Sequence, residues 1–159
     1  MKITALEEYG LRCLLHVARH PEEPISAQTI AEKEGLSLPY TQKILRILAQ
    51  NDLIEAKRGV NGGYVLARSP DRISVGDAVR ALGGMFDIDE ICERYTGELT
   101  ACAHECKCTL RPVWSHIAEF VVRTLDNVSI AVLLRDQNAV TNYLQKLAPP
   151  PDEVFCPVA

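Results

Sequence analysis

The hydrophobic period of the chain changes from helical to extended near residue 53, and this change constrains the fold more than any other feature. In residues 5–51, apolar residues recur every three to four positions in three segments, which is typical of amphipathic helices. Residues 53–57 and 64–67 are short runs on either side of the sequence RGVNGG, which predicts a β-hairpin. Three helices followed by a hairpin is the element order of a winged helix-turn-helix domain.

Capping residues mark where the helices begin. Thr4 and Glu7 have the spacing of a capping box and predict a first helix near residues 5–19. Ser37 is predicted to cap the third helix, which ends near Asn51. A short second helix lies between these two.

The turn of the hairpin is rich in glycine. Asn61, Gly62 and Gly63 are expected to supply the positive φ angles that a tight hairpin requires. The same turn carries Arg58, whose charge suits a phosphate or minor-groove contact where glycines let the backbone approach closely. This hairpin is the predicted wing.

The third helix has a polar face opposite its apolar one. Gln42 suits an adenine edge, whereas Lys43 or Arg46 suits a guanine edge or a phosphate. Any one of these residues could be plain solvated surface, but the ordered set of helices, basic face and hairpin predicts DNA binding. The candidate DNA-binding residues are Ser37, Pro39, Tyr40, Gln42, Lys43, Arg46, Arg58, Gly59, Asn61 and Gly62.

The net charge of −4 is compatible with this prediction because the basic residues are unevenly distributed. Residues 37–68 contain five basic and two acidic residues, whereas residues 81–159 contain six basic and eleven acidic ones. Electrostatic fields decay within about 8–10 Å at physiological salt, so the local excess of positive charge decides phosphate contact.

The pattern becomes irregular after the hairpin. Ser74 and Asp77 predict one more short, capped helix. Residues 84–109 form a loop that is longer than compact domains usually keep without a function for it. A long amphipathic helix is then predicted over residues 110–127, and the proline-rich residues 148–159 are expected to be disordered.

The loop holds four of the six cysteines, in the order Cys92-x9-Cys102-x3-Cys106-x-Cys108. No apolar run reaches the ~20 residues of a membrane helix, and acidic residues stand where a signal peptide is apolar, so we expect a cytoplasmic protein. Disulfides rarely persist in the reducing cytoplasm, so clustered cysteines more often indicate metal or redox chemistry. Thiolates are soft ligands for iron–sulfur clusters or zinc. Zinc sites usually use two close pairs such as C-x2-C, and the sequence contains no C-x2-C pair.

Four segments carry a family resemblance: MKITALEEYGLRCLLHVA, IAEKEGLSLPYTQKILRILAQNDLIEAKRG, GVNGGYVLARSPDRISVGDAVRAL and the cysteine loop before CTLRPVW. Over about residues 1–135 the chain resembles the Rrf family of winged-helix transcription regulators, which includes IscR-like and NsrR-like iron–sulfur regulators. The resemblance implies a homodimer on double-stranded DNA with a palindromic operator, and a long C-terminal helix that crosses its partner. The expected fold is mainly α, with a winged helix-turn-helix domain (1–83), a cysteine loop (84–109), dimerisation helices (110–147) and a tail (148–159).

The resemblance also implies a ligand set for an iron–sulfur cluster. The family arrangement has three cysteines with five residues between the last two, an interval that Cys102 and Cys108 match. Cys92 would be the first ligand, after a longer gap than in the IscR-like members. Cys106 is an alternate ligand, a redox thiol or a bystander, and [2Fe–2S] and [4Fe–4S] clusters suit this set equally well.

The fourth ligand is where the sequence departs from the IscR-like pattern, because Arg111 stands where those members have a histidine. NsrR-like members take a carboxylate from the first helix of the other subunit, and Glu8 occupies the matching place. The plain alternative for Glu8 is a surface ion pair with Arg12, four residues on. His104, inside the loop, is the alternate ligand.

These observations predict a DNA-binding repressor, not an enzyme, whose operator affinity responds to redox, nitric oxide or iron status through the cluster. The alternative is a metal-free thiol regulator of the same fold, in which Cys92 or Cys106 forms a reversible disulfide. Structural zinc and an electron carrier are further alternatives. The electron carrier would leave the winged-helix half of the chain without a role.

Overall fold

The computed structural model describes residues 3–59, 62–84, 92–104 and 107–147, and the predicted disordered tail lies outside them. The elements are α1 (Ala5–Ala18), α2 (Ala27–Glu34), α3 (Leu38–Gln50), β1 (Ile54–Lys57), β2 (Gly63–Leu66), a 3₁₀ turn (Pro70–Arg72), α4 (Val75–Ala81), α5 (Leu110–Asn127), α6 (Ile130–Leu133) and α7 (Gln137–Leu147). This order confirms the mainly α fold and the winged helix-turn-helix. No helix among the described residues is both long and apolar enough to cross a membrane.

Two of the three predicted caps form as expected. Thr4 and Glu7 make the reciprocal capping box of α1. At α4, the Asp77 amide donates to Ser74 Oγ at 2.9 Å, and the Ser74 amide donates to Asp77 Oδ2 at 3.1 Å. The prediction for α3 is wrong in its chemistry: Ser37 occupies the N-cap position, but its side chain makes no capping hydrogen bond.

This difference gives a matched pair of substitutions. Ser74→Ala leaves the first turn of α4 without its acceptor and should lower the free energy of unfolding by about 1 kcal/mol. Ser37→Ala removes no capping bond and should change it by less than about 0.5 kcal/mol. Urea denaturation of both variants measures the difference, and equal destabilisation would contradict it.

The core of the winged domain lies between α1 and α3. Ile44, Leu45 and Leu48 of α3 are fully buried, as the helical period predicts, and they pack with Leu14 and Val17 of α1. Each such side chain stabilises the fold by about 1.5–3 kcal/mol through removal of apolar surface from water. The opposite face of α3 is thereby fixed toward solvent.

The wing is a two-stranded antiparallel sheet in which Ile54 pairs with Leu66 and Lys57 with Gly63. The predicted positive φ angles are wrong for Gly62 and Gly63, and the positive value, 132°, belongs to Gly59. β1 ends at Lys57 and β2 begins at Gly63, so five residues separate the strands, more than in the two-residue turn in which those glycines would need positive φ.

Glycine is nevertheless required at the base of the wing. A Cβ at Gly63 would lie 2.5 Å from the carbonyl oxygen of Ile25. Ile25 and Tyr64 form an antiparallel bridge here, with N···O distances of 3.1 and 2.8 Å. Close backbone approach is therefore the reason for glycine at this position.

Helix α5 agrees with the predicted long helix over residues 110–127. Its C-terminal end is joined to the winged domain by backbone hydrogen bonds, from the Val75 amide to the Val128 carbonyl and from the Ile130 amide to the Ile73 carbonyl, each 2.8 Å. Large apolar side chains on the N-terminal two-thirds of α5 remain exposed: Leu110, Val113, Trp114, Ile117 and Phe120.

Candidate functional site

The solvent face of α3 carries most of the predicted DNA-binding side chains. Gln42, Lys43 and Arg46 are exposed and share this face with Ser37 and Pro39 at its N-terminal end. Because the apolar face is fully buried, these polar groups have one direction in which to extend. Their arrangement fits the exposed polar face of a recognition helix, which enters the major groove.

Tyr40 differs from the other members of this set. It is half-buried, and its ring meets that of Tyr9 edge-on, with 6.2 Å between centroids. The guanidinium of Arg12 lies 5.4 Å from the centroid of the same Tyr9 ring. Tyr40 therefore packs α3 against α1 and leaves only part of its surface for a ligand.

The wing places a second cationic group near solvent. Arg58 and Gly59 are exposed just beyond β1, and Lys57 forms an ion pair with Glu55 on the same strand. Gly62 donates its amide to the Gly59 carbonyl at 3.0 Å, which closes the base of the loop. Asn61, another predicted contact, lies outside the described residues.

Arg12 pairs with Glu34 and not with Glu8, the partner required by the plain alternative for Glu8. Arg12 Nε lies 2.8 Å from Glu34 Oε2, and Arg12 also donates to the Glu34 carbonyl at 3.2 Å. His16 Nδ1 lies 3.2 Å from the other carboxylate oxygen of Glu34. The ion pair with Glu8, which was the plain alternative to cluster ligation, is not formed between these two described residues. Glu34 is 22 residues from Arg12, so no local sequence signal pointed to it.

Glu8 instead lines a cleft of about 460 Å³ between α1, α4 and α5. Glu7 and Arg94 also line this cleft, and Arg94 lies two residues after Cys92. Its apolar lining consists of Ile3, Leu11, Val75, Val79, Val121, Val122 and Leu125. The cleft thus lies between the start of α1 and Arg94 of the cysteine loop, within one chain.

The three predicted cysteine ligands are half-buried free thiols. Cys92 is helical together with residues 93 and 94, and Cys108 lies just before α5. In the part of the chain that is described, no three His, Cys, Asp or Glu side chains come close enough to hold a metal ion. Cys106 lies outside that part, and the alternate ligand His104 is exposed. The donor chemistry fits an iron–sulfur cluster, but the three thiols are not gathered around one point.

Cys13 has a different environment from the three loop cysteines. It is fully buried in α1. Burial raises the pKa of its thiol to about 12, the charge of Glu34 adds to the increase, and Arg12 opposes it. Cys13 stays protonated at neutral pH and is therefore a poor nucleophile and a poor metal ligand.

A buried three-helix core, an exposed basic helix face and a glycine-based wing define a winged-helix protein of the transcription-regulator class. The Rrf2 family model, described as an iron-dependent transcriptional regulator, matches residues 3–136. The chain belongs to the Rrf2 family, which confirms the resemblance seen in its sequence, and its relatives are DNA-binding transcription regulators and not enzymes.

Three relatives illustrate the range of the family. The protein rrf2 of Nitratidesulfovibrio vulgaris is 34% identical over 150 residues, which is 94% of this chain and 97% of that protein. The structure of IscR from T. potens has a TM-score of 0.65 at 25% identity and covers 98% of this chain and 97% of its own. The oxidized form of CymR from Staphylococcus aureus has a TM-score of 0.66 at 28% identity, covering 86% and 98%.

Proposed function

We propose that this protein is a homodimeric repressor whose affinity for a palindromic operator is set by an iron–sulfur cluster. The observation that carries the proposal is the exposed polar face of α3, held outward by a fully buried apolar face and flanked by the wing. This is the surface that a winged helix presents to the major groove.

The two parts of this surface have different tasks. On α3, Gln42 can read an adenine edge, and Arg46 a guanine edge. Lys43 provides a point charge for a phosphate. On the wing, Arg58 extends from a loop whose glycines admit close backbone approach, which suits a phosphate or the minor groove.

Lys43→Ala tests the phosphate contact. The variant should bind a DNA operator fragment more weakly, and the slope of log K against log salt should decrease in magnitude by about 1, because one fewer counterion is released. Lys146→Ala, an exposed lysine on α7, is the matched control and should leave the slope unchanged. Fluorescence anisotropy across a salt series measures both, and an unchanged slope for Lys43→Ala would remove this contact from the interface.

A dimer is supported by the surface of α5. Five large apolar side chains on this helix are each at least 40% exposed: Leu110, Val113, Trp114, Ile117 and Phe120. A continuous apolar surface of this kind is typical of an interface between protein chains. A second copy that packs there would place two α3 helices on one duplex. Half-sites about 34–36 Å apart would then form the palindromic operator.

The cluster is supported by the thiols and by the family's description as iron-dependent. Cys92, Cys102 and Cys108 would hold it through thiolates, with Glu8 of the partner subunit as fourth ligand and Cys106 and His104 as alternates. The cluster, as [2Fe–2S] or [4Fe–4S], would supply sensitivity to redox change, nitric oxide or iron supply. Iron and sulfide counts on anaerobically purified protein test this assignment.

A metal-free thiol regulator is the second candidate function. It is favoured by the separation of the three described loop thiols, which are not gathered into a metal site. The similarity to CymR, which was solved in an oxidized form, points the same way. In this case Cys92 or Cys106 would form a reversible disulfide, and operator binding would respond to oxidants in protein that contains no iron.

A further inference from the structure

Four alternating charges connect the end of the wing to the end of α5. Arg68 follows β2 by two residues, and its Nη2 lies 3.9 Å from Asp77 Oδ2. Asp77 Oδ1 lies 3.0 Å from Arg80 Nη2, which in turn lies 2.7 Å from Asp126 Oδ1. We refer to Arg68, Asp77, Arg80 and Asp126 as the ion-pair chain.

Asp126 is fitted closely against α4. An alanine Cβ at Gly76 would lie 1.9 Å from Asp126 Oδ1 and 3.2 Å from the Asp126 amide nitrogen, so a side chain at position 76 would displace this carboxylate from its position beside Arg80. Tyr143 of α7 fixes the same end of α5, because its hydroxyl donates to the Asn127 carbonyl at 2.7 Å. The end of α5 is therefore seated on the first turn of α4 by packing as well as by charge.

The two central members of the chain, Asp77 and Arg80, have pKa values shifted in favour of their charged forms. Burial alone would raise the pKa of Asp77, but hydrogen bonds from Ser74 and Arg80 more than offset this and lower it. Hydrogen bonds to Asp126 and Asp77 raise the pKa of Arg80 above its ordinary value. Alternating charges at these distances attract one another along the whole chain.

The other end of the ion-pair chain belongs to the wing. The Ala67 amide, directly before Arg68, donates to the Leu53 carbonyl at 3.1 Å, next to the start of β1. The backbone at Arg68 is therefore joined to β2 through the chain itself and to the residue before β1 through this hydrogen bond. The contact of the Arg68 guanidinium with Asp77 is therefore a side-chain link between the end of the wing and α4.

We propose that the ion-pair chain positions the wing on DNA according to the placement of α5. Its four members are positioning residues, since each acts on the wing through its neighbour and none lies on the proposed DNA-binding face. The inference rests on the proposed function, in which the wing contacts DNA. It adds a route by which the placement of α5, which directly follows the cysteine loop, affects the contact between the wing and DNA.

Hydrogen exchange of the DNA-free protein tests the chain without reference to DNA. Asp126→Asn keeps the shape of the side chain over Gly76 and removes its charge. The amides of β1 and β2 should exchange at least about threefold faster in this variant, because the wing loses a restraint. Glu119→Gln, which removes an exposed charge elsewhere on α5, is the control and should leave their exchange unchanged. Equal exchange in Asp126→Asn and the wild type would overturn the proposal.

A double-mutant cycle separates positioning from general destabilisation. Asp126→Asn should weaken operator binding about threefold to tenfold in the wild type, and much less in an Arg58→Ala background, where the wing contact is already missing. Additive effects would overturn the proposal. If Arg58→Ala alone bound like the wild type, the wing contact under the proposed function would be wrong, and the exchange result would still decide whether the ion-pair chain restrains the wing.

Discussion

Gly63→Ala is expected to separate the wing from the helical core and to lower the free energy of unfolding by about 2–4 kcal/mol. The added Cβ would lie 2.5, 2.6 and 2.8 Å from the O, C and N atoms of Ile25. These are backbone atoms, so no side-chain rotation relieves the contact. The Ile25–Tyr64 bridge must open, and with it two backbone hydrogen bonds.

The loss should extend beyond this bridge. Ile25 is buried, and Tyr64 packs against the main core, so both side chains must move when the bridge between these two residues opens. The wing then loses its fixed position relative to α3. Operator affinity should therefore decrease in Gly63→Ala even at temperatures where the protein remains folded.

Gly35→Asn is the control for the loss of a glycine as such. Gly35 has φ 67° at the end of α2, with open space around the position of a Cβ. Asparagine tolerates this left-handed conformation, so the cost should be no more than about 1 kcal/mol. Urea denaturation and operator titration of both variants give the comparison. A Gly63→Ala protein as stable as Gly35→Asn would mean that the backbone approach at Ile25 is not restrictive.

Local signals in the sequence were sufficient for most of the fold. The capping boxes at Thr4 and Ser74 form as predicted, because both partners lie within one helical turn. The helical period placed α3 and α5 within a residue or two of their ends. The change of period near residue 53 predicted both strands to within one residue.

Features that depend on distant residues could not be predicted in this way. The partner of Arg12 is Glu34, across a helix–helix contact that leaves no periodic trace in the sequence. Gly63 is required because the Ile25 backbone lies close to it, whereas the sequence predicted that glycine was needed here for a positive φ angle in the turn. The contact of Asp126 with Gly76 likewise joins positions fifty residues apart, although each lies in a correctly predicted helix.

The cysteine segment marks the limit of inference from spacing. The family resemblance implied three ligands at these intervals, but spacing along a loop does not determine where the thiols lie in space. Within the described residues these thiols are free, half-buried and not gathered into a metal site. Assembly around iron would have to bring them together, as occurs where metal binding is coupled to local folding.

Cys92→Ser, Cys102→Ser and Cys108→Ser are each expected to abolish the iron content and visible absorption of anaerobically purified protein. Serine is a hard, weakly acidic replacement for a soft thiolate, and three thiolates are the minimum of the proposed set. Cys106→Ser should retain the cluster if Cys106 is a bystander. Iron and sulfide per chain, together with the visible spectrum, measure the outcome for each variant.

Cys13→Ala is the matched control for removal of a cysteine outside the loop. Its thiol is buried and protonated, so this variant should keep the wild-type iron content and spectrum. Loss of iron in Cys13→Ala as well would show that the loop variants report misfolding instead of ligation. If the wild type contains no iron but loses operator affinity on oxidation, and Cys92→Ser or Cys106→Ser abolishes that response, the metal-free thiol regulator is the correct function. A colourless protein that contains zinc would contradict both functions, because its thiols would hold neither an iron–sulfur cluster nor the metal-free state.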